Sequence, residues 1–438
     1  MPNPSAPSTG DKIAVIGLGY VGLPLAVFLA RGGAGRITGY DVKPERIAEL
    51  KAGHDHTGEV DGPELQGLPN LAFSADPAAL PGQDIYIITA PTPVDEANEP
   101  DLKPLLGACE TVGRALAGRK RGQGEAPIVV FESTVYPGVT EDICGPEIAR
   151  VSGGKTGEDF LLGYSPERIN PGDRKHRIDG IVKVVAGATP AVTERLAAVY
   201  ACVSKAGVHR APGIRAAEAA KVIENAQRDI NIAFINEVAM VFADMGISTY
   251  DVLDAARTKW NFLDFRPGMV GGHCIGVDPF YLAHCARKLG HRAEVILAGR
   301  RTNDAMAGEL ARRIAAALGP DPYPRSLVLG LTFKENVPDL RNSKVADLVR
   351  GLEAAGHAVE VRDPRADAGE AKAIYGLDLD RSEDGGFDCL VGAVAHDEYC
   401  ALTEADFARL VKPGGLIADI KGIWRGRKLP PGRRRWQL

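Results

Sequence analysis

The sequence predicts an α/β protein in which two Rossmann-like doubly wound domains are joined by a long central helix and a helical middle domain. Three observations predict this fold. Strand and helix signals alternate over the first 120 residues. Apolar residues then recur at helical spacing from Ile214 to Gly246. Strand and helix signals alternate again after the turn-rich segment GPDPYP at 319–324.

These regions set the predicted domain boundaries. Residues 1–11 have no apolar core, which predicts a disordered tail rather than a signal peptide. Residues 12–212 are predicted to form the first Rossmann-like domain and 213–318 the helical middle domain. Residues 319–438 are predicted to form a second, smaller Rossmann-like domain.

The strands are predicted from short apolar runs that end in turn residues. In the first domain these runs are KIAVIG, RITGYD, DIYIITAPTPV and APIVVFEST, with weaker ones at FLLGYSPE and IVKVVAG. Helices are predicted at Val21–Arg31 and Pro44–Lys51. In the last domain the runs are SLVLGLTF, HAVEVRDP, FDCLVGAVA and GGLIADI. Six basic residues between Arg425 and Arg435 predict a solvated, frayed terminus.

The composition excludes several classes of function. Lys plus Arg number 52 and Asp plus Glu 57, a formal net charge of −5, so we expect no nucleic-acid partner. Seven cysteines without a CxxC pair favour a reducing, cytoplasmic location over a disulfide framework. The apolar stretch Ala14–Ala30 contains three glycines and a proline and is shorter than the roughly 20 residues of a membrane span. We therefore expect no membrane insertion.

A glycine-rich turn follows the first predicted strand. Gly17 permits the tight turn, Gly19 lets the backbone approach a pyrophosphate, and Gly22 lets the following helix pack on the strand. Asp41 ends the second strand, where a carboxylate can bind an adenosine ribose and repel a 2′-phosphate, so NAD is favoured over NADP. Arg46, one short helix beyond, is a candidate to flank the adenine.

A second glycine-rich segment, at 270–279, surrounds Cys274. Glycines on both sides clear space for a ligand to approach the sulfur, and Asp278, four residues on, could position a water or accept a proton. Two alternatives stay open. One is a buried, inert cysteine that packs as a small hydrophobe. The other is a metal ligand, although the His273-Cys274 and His284-Cys285 spacing fits no common zinc pattern, and we expect no metal.

Three polar residues lie on one face of the long helix. Lys221, Asn225 and Arg228 stand at i, i+4 and i+7. Such a stripe can be a solvated helix face. It can also be catalytic, because a lysine can stabilise a developing oxyanion and an asparagine can donate a hydrogen bond to it.

Taken in order, the motifs resemble a known family. GLGYVGLPLA, the FEST segment, Ser165-Pro-Glu167, Lys221 to Asn225, GGHCIGVDP and GLTFKENVPDLRNS are similar to those of the UDP-glucose/UDP-N-acetylhexosamine 6-dehydrogenases over residues 12 to 425. The chain most resembles the UDP-N-acetylglucosamine/UDP-N-acetylgalactosamine 6-dehydrogenases of bacterial surface-polysaccharide synthesis, the Vi-antigen type. Pro171 stands where the UDP-glucose enzymes carry a second glutamate, and the His-Pro-Arg run of the UDP-N-acetylmannosamine branch is absent near Lys259–Asn261.

The resemblance implies an oxidation of a sugar C6 alcohol to a carboxylate with two NAD⁺ in sequence. The residues that it assigns to removal of the alcohol proton are Lys221, Asn225, Asp278 and Thr134. Cys274 would then attack the aldehyde to give a thiohemiacetal and, after the second hydride transfer, a thioester. Glu167 is the implied acid/base around the thiohemiacetal and the hydrolysis.

The resemblance also implies the binding residues. Besides the glycines, the cofactor contacts would be Tyr20, Val21, Asp41, Arg46, Thr92, Thr134 and Arg341. The contacts to the UDP-sugar would be Glu167, Arg168, Lys221, Asn225, Arg228, Phe265, Arg266, Gly271 and Lys334. The UDP half is expected mostly on the C-terminal domain, where Lys334 is the best-placed cation for its diphosphate. By sequence alone Lys334 and Arg341 can equally be surface charges. The long apolar helix favours a homodimer.

Three alternatives stay open at this point. A UDP-glucose 6-dehydrogenase would differ only in the sugar. A two-electron β-hydroxyacid dehydrogenase also pairs a Rossmann domain with a long-helix domain, but it needs neither Cys274 nor a third α/β domain. A non-catalytic NAD-sensing or scaffold protein would bind NAD without turnover. Counting NADH per substrate separates the four-electron oxidation of a UDP-sugar, which gives two, from the two-electron β-hydroxyacid reaction, which gives one. The sequence does not decide between the gluco and galacto epimers.

Overall fold

The structure is a computed structural model that describes residues 10–119, 124–169, 177–272, 275–320 and 323–438. The described residues form two compact units. The first unit runs to Glu224 and also includes Phe280–His291, and the second comprises Asn225–Pro279 and Arg292–Leu438. Most of the predicted tail and part of the predicted linker at 319–324 lie outside the described residues. The first strand begins at Asp11, the last residue assigned to that tail.

The first unit contains an eight-stranded sheet. Its strands are β1 Asp11–Ile16, β2 Gly35–Tyr40, β3 Leu71–Ser74, β4 Ile85–Ile88, β5 Ile128–Phe131, β6 Leu161–Tyr164, β7 Lys183–Gly187 and β8 Val208–Arg210. Their order is β3-β2-β1-β4-β5-β6-β7-β8. All neighbours are parallel except β6 and β7, which are antiparallel. The strand order reverses at β1, and ligands of doubly wound sheets bind at the carboxyl ends of the strands beside such a point.

Helices cover this sheet because its central strands are apolar on both faces. They are α1 Gly22–Arg31, α2 Pro44–Lys51, α3 Gly62–Leu65, α4 Lys103–Leu116, α5 Gly145–Ser152 and α6 Pro190–Ala201, with single helical turns at Pro77–Ala79, Val139–Cys144 and Ile178–Gly180. The predicted α2 is observed with the same bounds, and the predicted helix from Val21 begins one residue later, at Gly22.

The long helix α7 spans Ile214–Asp244, 31 residues, two fewer than predicted. At 1.5 Å per residue it is about 46 Å long. It belongs to the first unit up to Glu224 and to the second from Asn225. Three shorter helical segments follow it, α8 Thr249–Ala256, α9 Asp278–Lys288 and α10 Glu294–Leu318.

The second unit contains a five-stranded, all-parallel sheet in the order β10-β9-β11-β12-β13. Its strands are β9 Arg325–Leu329, β10 Ala358–Arg362, β11 Phe387–Gly392, β12 Val411–Asp419 and β13 Arg434–Gln437. Its helices are α11 Val345–Ala354, α12 Ala368–Tyr375, α13 Asp397–Cys400 and α14 Glu404–Leu410.

The pleat of this sheet separates two apolar layers. Val328 and Val391 face a layer that includes α10 and α11, whereas Leu327 and Leu390 face a layer built around Trp424. Because both faces are covered, the sheet is doubly wound, as the sequence predicts.

The prediction of a frayed, solvated C-terminal end is wrong. Arg434–Gln437 form β13, which pairs in parallel with β12, and Leu438 is buried. The Arg434 guanidinium donates to the carbonyl oxygens of Ala317 and Leu318 at 2.8 Å each. The charge pattern alone does not show that these residues can pair as an edge strand. It also does not show that an arginine in the strand can donate to carbonyl oxygens at the end of a helix.

Among the described residues, no helix is both long and apolar enough to cross a membrane. The same residues contain no cluster of three or more histidine, cysteine or carboxylate side chains that could hold a metal ion.

Candidate active site

The glycine turn after β1 has the geometry of a nucleotide cradle. Gly17 has φ +97°, which favours glycine. A Cβ on Gly22 would lie 1.9 Å from the Gly17 carbonyl oxygen and 2.5 Å from Thr89 Oγ1, so α1 can pack here only without a side chain. A Cβ on Gly19 would meet nothing within 4 Å. The turn is thus tightly packed beneath Gly22 and open above Gly19, where a pyrophosphate can approach the N-terminus of α1.

Asp41 directly follows β2 and holds the same turn. Its Oδ2 accepts a hydrogen bond from the Leu18 amide at 2.9 Å, and its Oδ1 accepts one from the Lys43 amide at 3.0 Å. The carboxylate is therefore oriented at the carboxyl edge of the sheet beside the glycine turn. This is where a ribose of NAD would lie, and the residues fit that cofactor.

Arg46 lies beneath the turn rather than free beside it. It is buried, its Nε donates to the Leu18 carbonyl at 2.9 Å, and its Nη2 donates to Asp55 at 2.7 Å. Its Nη1 lies 3.1 Å from both Glu49 and His56. Although burial opposes it, hydrogen bonds from Thr57 and Arg46 lower the pKa of Asp55. The guanidinium is thus committed to protein partners, and a contact between Arg46 and adenine stays a prediction.

Thr92 and Thr134 come together beyond the ends of β4 and β5. Thr92 Oγ1 donates to the Thr134 carbonyl oxygen at 2.6 Å. The Tyr281 hydroxyl, from α9, donates to the Thr92 carbonyl oxygen at 2.5 Å. Tyr281 is fully buried and links α9 to these two loops. Sequence reasoning missed it, because nothing in the sequence pairs two residues that are 189 positions apart.

Glu167 and Arg168 follow β6 and are both fixed by protein contacts. Glu167 Oε1 accepts from the Arg168 and Ile169 amides, both at 2.5 Å, and its Oε2 lies 3.4 Å from Lys183 Nζ. Arg168 forms an ion pair with Glu224 of α7 at 2.7 Å. Glu167 is nearly buried, so its carboxylate is held in one orientation.

The polar stripe of α7 is mostly buried. Lys221 and Asn225 are 8% and 6% exposed, so a solvated helix face does not describe them, whereas Arg228 is exposed. In the second unit, Asn225 Nδ2 donates to Asp278 Oδ2 at 2.5 Å, and Asp278 is also buried. Asp278 is the first residue of α9. The structure therefore brings Asn225 and Asp278 into direct contact.

The described part of the glycine-rich segment at 270–279 is held by close packing. A Cβ on Gly271 would lie 2.5 Å from the Asn342 carbonyl oxygen, and one on Gly272 would lie 2.7 Å from the Phe333 ring. Just before the segment, Asn236 accepts from the Gly268 amide and donates to its carbonyl oxygen, at 2.7 and 3.0 Å. The predicted nucleophile Cys274, with His273, lies outside the described residues, and so does Pro171.

A cleft in the second unit gathers cations at the carboxyl ends of β9, β11 and β12. Its lining includes Lys334, Lys344, Lys421, Gly271 and Phe333. Burial lowers the pKa of Lys421. Three lysines around one crevice suit a diphosphate. Sequence reasoning named Lys334 and Gly271 here but missed Lys344 and Lys421, which approach them only in the folded sheet.

Three consecutive stretches of the chain match sequence models of one family. The NAD-binding domain of the UDP-glucose/GDP-mannose dehydrogenase family matches residues 11–204, its central domain 215–305 and its UDP-binding domain 327–426. The chain belongs to the UDP-glucose/GDP-mannose dehydrogenase family. As a member it is an NAD-dependent nucleotide-sugar dehydrogenase with a UDP-binding domain.

Relatives in this family align over nearly the whole chain. Protein CapL of Staphylococcus aureus is 49% identical over 98% of this chain and 99% of its own length. A UDP-N-acetyl-D-glucosamine 6-dehydrogenase of Pseudomonas aeruginosa is 48% identical over 94% of this chain and 96% of its own. Among solved structures, a UDP-glucose dehydrogenase from Pyrobaculum islandicum superposes with a TM-score of 0.84 at 26% identity, covering 100% of this chain and 99% of that one.

Of the remaining binding residues predicted for this dehydrogenase, the two arginines pair with carboxylates. Arg266 pairs with Asp264 at 2.9 Å, and its guanidinium lies 5.9 Å from the centre of the Tyr250 ring. Arg341 pairs with Asp339 at 2.6 Å. Phe265 is partly buried. The roles predicted for these residues stay predictions.

Proposed function

We propose that this chain oxidises the C6 hydroxyl of a UDP-N-acetylhexosamine, UDP-N-acetylglucosamine or UDP-N-acetylgalactosamine, to the uronic acid, in a four-electron reaction with two NAD⁺. The observation that carries this proposal is the buried contact of Asn225 with Asp278, on the helix that also carries Lys221. The identity of 48% and 45% to two enzymes named UDP-N-acetyl-D-glucosamine 6-dehydrogenase supports the sugar. We assign the product to surface-polysaccharide synthesis.

The first oxidation needs a base and an oxyanion partner. Lys221 supplies positive charge to the C6 oxygen as its proton leaves, and Asn225 donates to the same oxygen. Asp278, held by Asn225 at 2.5 Å, receives the proton through an ordered water, with Thr134 orienting the alcohol. NAD⁺, when bound, accepts a hydride from C6 of the sugar in each of the two oxidations.

The second oxidation needs the aldehyde to stay bound. The Cys274 thiolate adds to the aldehyde carbon, and the oxygen takes up a proton to give a thiohemiacetal. Loss of the carbon-bound hydride and of the hydroxyl proton leaves a thioester. Water then adds to the thioester carbonyl as Glu167 takes its proton, and the C–S bond breaks. The uronic acid leaves, and the Cys274 sulfur takes up a proton and stays on the enzyme as the thiol.

The stoichiometry of NADH tests this function. We expect two NADH per UDP-N-acetylhexosamine consumed, and lower kcat/KM with UDP-glucose and UDP-N-acetylmannosamine in the same screen. One NADH per substrate would favour the β-hydroxyacid type of reaction. Tight NAD binding without turnover of any UDP-sugar would favour a sensor.

The role of Cys274 is tested by Cys274→Ser. The weaker nucleophile should nearly stop formation of uronic acid, because no thioester forms. The control is Cys389→Ser, at a fully buried cysteine of β11. Unchanged turnover of Cys274→Ser would end the covalent mechanism.

We also propose a homodimer that forms through α7. Ile223, Phe234 and Val241 of α7, and Met245 directly after it, are 52–63% exposed although they are large and apolar. The spacing of the three helical residues puts them along one stripe of α7. Phe234→Glu should convert the dimer to a monomer in light scattering, whereas Leu289→Glu, at an exposed apolar residue outside α7, should not. A monomeric wild type would refute the dimer.

Two further assignments are proposals. The three-domain division 12–212, 213–318 and 319–438 is supported by the ranges of the family's domain models. A cytoplasmic location is supported by the free cysteines, such as Cys109 and Cys144, among the described residues.

A further inference from the structure

A buried lysine lies directly behind the Ser165–Glu167 segment. Lys183 is on β7, with its side chain 2% exposed. Its Nζ donates to Glu132 Oε2 at 2.6 Å, to the Pro166 carbonyl oxygen at 3.3 Å and to Glu167 Oε2 at 3.4 Å. One ammonium group thus bridges two carboxylates and the backbone between them.

Glu132, directly after β5, closes the cluster from the other side. It is 1% exposed, and its Oε1 accepts a hydrogen bond from the Tyr200 hydroxyl of α6 at 2.5 Å. Lys183 Nζ lies 5.1 Å from the centre of the Tyr200 ring. The charged and titratable groups that face Glu132 are therefore Lys183, Tyr200 and Glu167.

The cluster has one cation for two carboxylates. Burial raises the pKa of Glu132 to about 7, against the charge of Lys183. Burial also acts to lower the pKa of Lys183, but Glu132 and Glu167 outweigh it and keep that pKa above its usual value. Lys183 therefore stays charged, and Glu132 holds a proton until the pH reaches the neutral range.

We propose that Lys183 and Glu132 are positioning residues for Glu167, which together set the orientation of its carboxylate. The proposal rests on the catalytic role of Glu167 proposed above. While Glu132 is neutral, the Lys183 ammonium holds Glu167 Oε2 and the Pro166 carbonyl without a competing carboxylate. When Glu132 ionises, it competes for the same ammonium, and the hold on Glu167 weakens.

The orientation follows from the donors around Glu167. Its Oε1 is fixed by the Arg168 and Ile169 amides, and its Oε2 has the Lys183 ammonium nearby. Lys183 also fixes the Pro166 carbonyl. Removing the ammonium would release one oxygen of the base and the peptide before it, and would leave Glu132 without its cation.

The pH profile of kcat with a saturating UDP-N-acetylhexosamine separates this role from a structural one. In Lys183→Met the inflection near neutral pH should move up by about one pH unit, a tenfold change in the protonation equilibrium of Glu132, because that carboxyl loses its cation. In Glu132→Gln the inflection near neutral pH should disappear. The KM for NAD should stay within twofold in both variants.

Two more variants make the result interpretable. Tyr200→Phe removes only the hydroxyl that donates to Glu132, so it should shift the neutral inflection to higher pH even if Lys183→Met does not fold. Lys205→Met is the control, because Lys205 is an exposed lysine that pairs with Asp179 at 3.2 Å. Its profile should coincide with that of the wild type.

A readout without turnover keeps this proposal separate from the proposed function. Infrared pH-difference spectra of the free enzyme should contain a buried protonated-carboxyl band that is lost on titration near neutral pH and absent in Glu132→Gln. If this band is missing in the wild type, or if turnover occurs but the profiles of all variants match the wild type, the positioning role is overturned. If no UDP-sugar is oxidised, the proposed function fails, and the band still decides the charge state of the cluster.

Discussion

Asn225 and Asp278 are 53 residues apart in the sequence and are joined by a hydrogen bond of 2.5 Å in the structure. Asn225 lies in α7 and Asp278 begins α9, and both side chains are buried. A buried carboxylate needs donors, and the amide of Asn225 is one of them. The helix that carries Lys221 thus also holds the carboxylate that follows the predicted nucleophile.

Removing this amide should impair catalysis more than binding. We expect Asn225→Ala to lower kcat about 100-fold, because it removes an oxyanion donor and releases Asp278, with the KM for NAD nearly unchanged. Asn231→Ala is the matched control, because Asn231 is a half-buried asparagine of α7 whose side chain donates to the Gln227 carbonyl of the same helix. Steady-state NADH production measures both, and a kcat within twofold of the wild type would contradict the assignment.

A glycine-to-alanine substitution should have opposite effects at two positions of the glycine turn. Gly22→Ala should lower stability by about 2 kcal/mol, because its Cβ would clash with the Gly17 carbonyl. Gly19→Ala should leave the melting temperature unchanged but weaken NAD binding, since its Cβ enters open space above the turn. Thermal melting and NAD titration of the two variants are the measurements. Unchanged NAD binding by Gly19→Ala would mean that the space above Gly19 is not the pyrophosphate site.

Asp41 should discriminate between the two dinucleotides. Asp41→Ala removes the predicted ribose acceptor and the partner of the Leu18 amide, so the KM for NAD should rise about tenfold or more. The KM for NADP should fall or stay the same, since a repelling carboxylate is gone. Asp76→Ala, at an exposed helix cap, should change neither value. Equal increases for both cofactors would indicate loss of turn structure instead.

Lys421 should bind the diphosphate of the UDP-sugar. It lines the same cleft as Lys334 and Lys344. Lys421→Met should raise the KM for the UDP-sugar at least about tenfold, because one charge-assisted contact is lost, and leave the KM for NAD unchanged. Lys412→Met, at an exposed lysine of β12, is the control. A parallel rise of both KM values would argue against a specific diphosphate contact.

Asp363 should make the second unit sensitive to acid. Burial acts to raise its pKa, but hydrogen bonds from His396 and from the Leu331 and Thr332 amides outweigh it, so the pKa lies well below its ordinary value. Such a carboxylate stabilises the fold fully above its unfolded pKa, and this contribution is lost as pH falls below about 4.

The variant Asp363→Asn tests whether Asp363 makes stability fall as the pH is lowered. It should unfold at lower urea concentration than the wild type at pH 7, with a loss of about 2 kcal/mol, because a charged acceptor of backbone hydrogen bonds is removed. The difference from the wild type should shrink as the pH is lowered from 4 to 3. A difference that is constant over this range would contradict the linkage to Asp363.

Much of the fold could be read from local patterns. The alternation of apolar runs with turn residues predicts strands such as β1 and helices such as α2, because period and punctuation are properties of neighbouring residues. The same holds for α7, whose bounds differ from the prediction by two residues at one end. The basic C-terminal end was predicted wrongly, because whether Arg434 is solvated or paired depends on β12, which is distant in sequence.

By itself, the sequence determined which side chains follow the strands of this protein. It determined that Gly17 and Asp41 end neighbouring strands, and that Lys221 and Asn225 share a helix face. The tertiary structure decided which of them meet distant partners. The contact of Asn225 with Asp278, the bridge from Lys183 to Glu132 and the approach of Lys421 to Lys334 all join residues that no local period connects. Such contacts arise only when separate elements pack, because long-range packing fixes the distances that sequence spacing leaves free.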